Sequence, residues 1–306
     1  MSTETSSSPP NRPDVFKNAV IIMLTVISIF AAAVTFLQNY ASLRSGDLIQ
    51  QSEFKAVNST GLYFSAGLKA AQGNELHQRY ADYLQRALRA DTKARALRLG
   101  GYGDLATDYD IDSIRWTEAA QEIKQEIDAD PALAQYGNVV DEYREVLSRE
   151  AYAEGERQYT LLAQSRAWSA KANGFVAILS TLSVALFLSG LSLTLSSRVK
   201  YVLAISGLGL AIICAVWSIG ITFSRIPRVS EEAIQHFVDG LVQLNLSELR
   251  DEDALTAIEE FNQAIELAPD YGRAYFFRSF ANTDSQLTKQ HLDTGLAVAD
   301  MLKALE

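Results

Sequence analysis

Two charge-free stretches decide the fold: Phe175–Ser197 (FVAILSTLSVALFLSGLSLTLSS) and Tyr201–Ser224 (YVLAISGLGLAIICAVWSIGITFS), separated only by Arg198, Val199 and Lys200. Each exceeds the roughly 20 apolar residues an α-helix needs to cross about 30 Å of hydrocarbon. Because lipid satisfies no free amide, each must be helical, and the short basic link makes them an antiparallel pair. Residues 173–197 and 201–224 are therefore read as the second and third transmembrane helices. Upstream, Ala19–Leu37 (AVIIMLTVISIFAAAVTFL) is uninterrupted and too long for a signal-peptide core, so residues 19–40 are read as a retained first span.

The composition agrees with membrane rods carrying polar blocks. Mean hydropathy is +0.00, an average of very apolar and very polar segments. The net charge of −10 argues against a nucleic-acid partner, which needs a basic face. The acid lies outside the spans, chiefly in Asp104–Glu150 and Glu231–Glu306. The lone cysteine, Cys214, sits in the third apolar run; it excludes an intrachain disulfide and any site built on several thiolates.

Residues 1–18, whose Met1–Pro13 portion reads MSTETSSSPPNRP, have too little apolar surface to order and are expected to form a disordered tail. Residues 41–172 read as a helical soluble insertion continuous with the flanking spans, and a four-helix bundle is expected. Leu76, Tyr80, Tyr83, Leu84, Ala87 and Leu88 form one helical stripe, and Gly100, Gly101 and Gly103 are expected to break it. A loop at DLATDYDID, a helix over Ser113–Ile127 and an Asp130–Pro131 helix start follow. From Pro131 onward one helix is expected to run straight into the second span.

Within the hairpin, Ala185, Ser189 and Ser192 on one span and Gly207 and Ala211 on the other stand at helix-contact spacing. Lipid supplies no hydrophobic drive for helices to meet, so such notches favour close packing; lipid-facing positions are the plainer alternative. No Asp, Glu, Lys, Arg or His lies within a span, which argues against a channel or pump.

In the last block, residues 229–306, the segment ALTAIEEFNQAIELAPDYGRAYFFRSFA resembles a tetratricopeptide repeat. Ala257, Phe261 and Ala264 match the small, aromatic and small positions of that family's second helix, Pro269 its helix-ending proline, and Ala274 with Tyr275 the opening of a following repeat. Gly240 resembles the first-helix glycine. The spacing from Gly240 to Ala257 is about five residues too long, through SELRDEDA, and Ser279 replaces a second glycine. At most two repeats are present, too few to stand alone, so this block is expected to lean on the insertion, the membrane or another subunit. The resemblance implies protein partners bound through the module. The remaining layout, with QSRAWSAKANGFVAILSTLSVALFLSGLSL and SSRVKYVLAISGLGL, resembles a family of bacterial three-span membrane proteins of unknown function, which implies an inner (plasma) membrane location.

Arg12, Lys17, Arg198 and Lys200 flank the spans on one side, against Arg44, Lys55, Arg166, Lys171, Arg225 and Arg228 on the other. Weighting the short tail and tight link over charges beside long domains puts the N-terminus and the link in the cytoplasm and both soluble blocks outside.

Candidate chemistry is sparse. Asp108, Asp110 and Asp112 alternate as in a calcium loop, but Ser113 holds the glycine position and Ala119 the closing one, so a solvated loop with an aspartate helix cap is the stronger reading. The GGYG run lacks the strand and lysine of a phosphate cradle and reads as a hinge. His77, His236 and His291 have no ligand-spaced neighbours, and Glu259 with Glu260, like Asp141 with Glu142, read as exposed helix faces. No cofactor, metal or catalytic set is expected. The leading expectation is an all-α, non-enzymatic membrane scaffold touching lipid and protein partners, as a homo-oligomer or as a subunit of a larger complex. The alternative is an extracytoplasmic helical sensor that binds a small ligand.

Overall fold

The structure, a computed structural model, describes residues 15–137, 139–195, 198–250, 254–284 and 294–305. Those residues are all-helical, with no strand among them. In chain order the helices are α1 (Val15–Leu99), α2 (Gly103–Ala129), α3 (Pro131–Tyr136), α4 (Val140–Leu147), α5 (Arg149–Thr194), α6 (Val199–Phe223), α7 (Glu231–Arg250), α8 (Leu255–Leu267), α9 (Gly272–Asp284) and α10 (Thr294–Leu305). Three of them, α1, α5 and α6, are long and apolar enough to cross a membrane.

Two sequence-based expectations need correction. The acidic stretch expected as a loop, Asp104–Asp112, lies inside α2, because the turn is already made by Gly100–Tyr102. Gly101 takes φ +82°, a conformation only glycine adopts cheaply, and there α1 reverses into α2. The single helix expected from Pro131 is three. Gly137 caps α3 where a side chain would meet Leu133 and His77, and Ser148 ends α4, its amide bonding back to Arg144 and Glu145. The Asp130–Pro131 start is present: Asp130 Oδ1 accepts from the amides of Ala132 (3.0 Å) and Leu133 (3.2 Å), while Oδ2 accepts from Tyr143 Oη (3.0 Å). One carboxylate thus ties α3 to α4, and burial with that bond pushes the Tyr143 phenol up to about 12.

The chain divides into two compact units. The first holds the described residues of Met1–Gln51 and of Leu161–Pro227. Here α1 buries Val20, Ile27, Val34, Ala41 and Leu48, one residue in seven, the repeat of helices that coil about each other. Ile27 and Val34 meet Phe175, Ile178 and Leu182 of α5 and Ala211 and Cys214 of α6. Ser45 and Ser165 interlock, each hydroxyl donating to the other's carbonyl at 3.0 Å. The outward side of this unit is apolar, including Ile22, Ile29, Phe36, Phe187, Ile205 and Val216. That surface suits hydrocarbon rather than water.

The second unit holds the described residues of Ser52–Thr160 and of Arg228–Glu306, so it draws on chain from both sides of the hairpin. One core joins Ala70 of α1, Ile127, Leu133 and Tyr143. At Gly73 an added Cβ would come 2.5 Å from Leu133 Cδ1 and 2.8 Å from Tyr143 Cε1, so only glycine allows α1 this close to α3 and α4. A second core is built from α7, α8 and α9 with Ala153 of α5.

Candidate functional site

The helices α7–α10 carry the densest set of interactions. Ala257, Phe261 and Ala264 recur at helical spacing on α8 and are fully buried. The Phe261 ring rests on Gly240 of α7, where an added Cβ would lie 2.6 Å from a ring carbon. Phe237 is the hub, its ring centroid 5.7 Å from Phe261, 5.1 Å from Tyr271 and 5.5 Å from Phe277. Offset and edge-on aromatic contacts at these separations add stability beyond area burial. Pro269 stands exposed just beyond the α8 cap, where the chain turns and the Tyr271 amide bonds the Ala268 carbonyl. Ala274 is buried on α9, and half-buried Tyr275 lies under the Arg278 guanidinium, 5.4 Å from its centroid.

This core is fastened to α5 by charge. Glu156, only 3 % exposed, accepts from Tyr271 Oη at 2.7 Å and pairs with Arg273 at 2.7 Å. Burial raises the Glu156 carboxyl above its usual range despite the opposing Arg273 charge and the Tyr271 bond. Arg273 lies 4.1 Å from the Tyr159 ring centroid, so its cation is held by an aromatic face as well as a carboxylate. Arg149 pairs with Asp239, and Arg157 with Glu150, Glu154 and Glu231. The bond from Arg157 holds the Glu231 carboxyl below its ordinary range, against a smaller opposing effect of burial. At the α4–α7 junction Glu145 Oε2 accepts from Tyr152 Oη (2.7 Å) and Asn245 Nδ2 (2.8 Å). The last block leans on the insertion through residues 74 to 117 positions apart, a pairing that no local motif encodes.

A cleft of about 450 Å³ opens between α9 and α10, lined by Gly272, Arg273, Phe276, Phe277, Met301 and Ala304. Its helices are locked by a buried pair, Arg278 with Asp300 at 2.5 and 2.8 Å, and Arg278 also donates to Asn262 at 2.6 Å. Of its lining residues, Phe276 and Met301 are exposed. The arrangement offers apolar contact surface beside a fixed cation. Among the described residues that line it there is no nucleophile paired with a base.

The other predicted residues fall as follows. In the hairpin, Ala185, Ser189 and Ser192 are fully buried, and Gly207 abuts the Ser189 hydroxyl and, 2.9 Å from its added Cβ, the Ala185 carbonyl. Ala211 is buried in the same seam. Asp108 and Asp112 are exposed on α2 while Asp110 faces Arg98, so the three carboxylates diverge rather than converge. Among the described residues no group of three acidic, His or Cys side chains is placed to hold a metal. His77 Nδ1 lies 3.1 Å from the Gly73 carbonyl, and His236 Nδ1 lies 2.8 Å from Glu260, which is therefore half-buried rather than a free helix face. His291 lies outside the described residues. Compared with known proteins, the chain matches no protein-family model, no curated protein and no solved structure.

Proposed function

We propose that this protein is a membrane-anchored scaffold, in which α1, α5 and α6 cross the bilayer and α7–α10 form a tetratricopeptide-like module that holds a protein partner. In this reading Gly240, Ala257, Phe261, Ala264 and Ala274 are the module's packing positions, and the cleft between α9 and α10 is its contact surface. Both soluble segments lie outside the cytoplasm, with the Arg198–Lys200 link inside it. The observation that carries the reading is the exposed aromatic and aliphatic rim of that cleft at Phe276 and Met301. Rims of this kind around a pocket suit a few anchoring side chains of a partner, which supply most of the binding energy.

The test is capture of the full chain from mild detergent, comparing wild type with Phe276→Asp. A stoichiometric partner retained by the wild type and reduced at least tenfold by Phe276→Asp, with thermal unfolding unchanged, is expected. Equal retention by both proteins, or an isolated chain in both, contradicts the assignment.

A further inference from the structure

Beyond its span, α1 carries two apolar faces but has a partner for only one. Arg44, Asp47, Glu53 and Lys55 mark where the helix has left hydrocarbon. From Ser52 on, one face packs inward: Ser59 Oγ donates to the Ala151 carbonyl at 2.7 Å, and Ser52, Ala66 and Ala70 are buried. The opposite face presents Phe54, Val57, Phe64 and Leu68, which are 70, 72, 68 and 52 % exposed. Gly61 lies between them, with nothing within 4 Å of an added Cβ. The intervals 54–57–61–64–68 alternate three and four, which is the a and d seam of a coiled coil. Glycine at the middle a position lets a second backbone come close.

We propose that this stripe joins α1 to the α1 of a second copy, as a parallel, in-register dimer. The proposal rests on the reading that α1 is anchored in the membrane. Two copies inserted the same way present the same helix in the same direction, so identical residues meet across a two-fold axis. Self-pairing requires flanks that do not repel their own copies: between Phe54 and Leu68 the e and g positions Asn58, Thr60, Ser65 and Gly67 are uncharged, and Glu53, at the g position before Phe54, meets the uncharged Asn58 of a parallel second copy rather than a like charge. The two phenylalanines dominate the area. With Val57 and Leu68 the stripe offers about 500 Å² per copy on the scale of aromatic burial. Two copies reach the ~1,000 Å² that a specific interface needs before any flanking contact is counted.

Cys214 is the only native thiol, so single-cysteine crosslinking is clean. In full-length Cys214→Ala protein in native membranes, Val57→Cys and Phe64→Cys, both at d positions, are oxidised beside Lys69→Cys, an exposed site off the seam. Disulfide-linked dimer is expected at 57 and 64 at least tenfold above that at 69, and Phe64→Glu in the wild-type background is expected to shift the chain from dimer to monomer by mass photometry. Equal crosslinking at all three sites, linkage of 57 or 64 to a protein of different mass, or a wild-type monomer overturns the proposal. Loss of the chain from the membrane fraction instead overturns the anchoring on which it rests, and the two failures are told apart by that fraction.

Discussion

Phe261→Ala is expected to destabilise α7–α9 strongly while leaving the three long apolar helices α1, α5 and α6 in place. The ring is fully buried, packed on Gly240 and within an aromatic set with Phe237 and Phe277. Removing it costs about 3–5 kcal/mol, combining lost transfer energy with the cavity left behind. Gly240 supplies no side chain to fill the space, and neighbouring Ala257 and Ala264 are too small to reach into it. That cost is a large share of the about 5–15 kcal/mol by which whole domains are stable. Limited proteolysis of the purified full chain checks this: cleavage beyond Arg228 should rise sharply while the α1 and α5 spans stay protected. A loss below about 1 kcal/mol would show that the ring is not the keystone of this packing.

The second large effect is at Glu156. Glu156→Ala strands the buried Tyr271 hydroxyl and takes the carboxylate from Arg273. Leaving such groups unpaired costs about 1–3 kcal/mol for the hydroxyl alone. Glu156→Gln keeps an acceptor for Tyr271 and removes only the charge, so it should be much milder than alanine. The pH dependence separates the two roles. Burial raises the folded-state pKa of Glu156 above its value of 4.5 in the unfolded chain. The folded state therefore retains a proton that the unfolded chain has released. That contribution is fully present below pH 4.5 and is lost as pH rises through the folded value. The stability of wild type relative to Glu156→Gln should accordingly fall as pH climbs above 4.5, as read by thermal unfolding across that window. A difference that instead grows with pH would mean that Arg273 governs the site and burial does not.

That α5 and α6 are helices long and apolar enough to cross a membrane was legible in the sequence, because a charge-free run of more than twenty residues has one physical solution in lipid. Ala257, Phe261 and Ala264, picked out by their resemblance to the small, aromatic and small positions of a repeat helix, are buried on α8. What stayed hidden depends on contacts between distant segments. The carboxylate of Glu156 lies in an ordinary polar helix stretch, and nothing local marks it as the partner of Tyr271 and Arg273. The acidic run at Asp104–Asp112 reads locally as a loop because it follows three closely spaced glycines and its aspartates are poor helix formers in isolation. In the folded chain α2 presents Asp110 to Arg98, and that pairing supports the helical form. The breaks at Gly137 and Ser148 were passed over because the apolar period continues through them.

The central claim is that a hairpin of two spans returns the chain to the same side, so that residues before and after it build one unit. Membrane-impermeant thiol labelling of intact cells tests this most directly, with single cysteines in the Cys214→Ala background at three exposed positions. These are Glu122 in α2, Asp270 after α8 and Arg198 in the hairpin link. Labelling of 122 and 270 from one face and of 198 only from the other is the predicted result. Labelling of 122 and 270 from opposite faces, or a chain recovered in the soluble fraction, would contradict it.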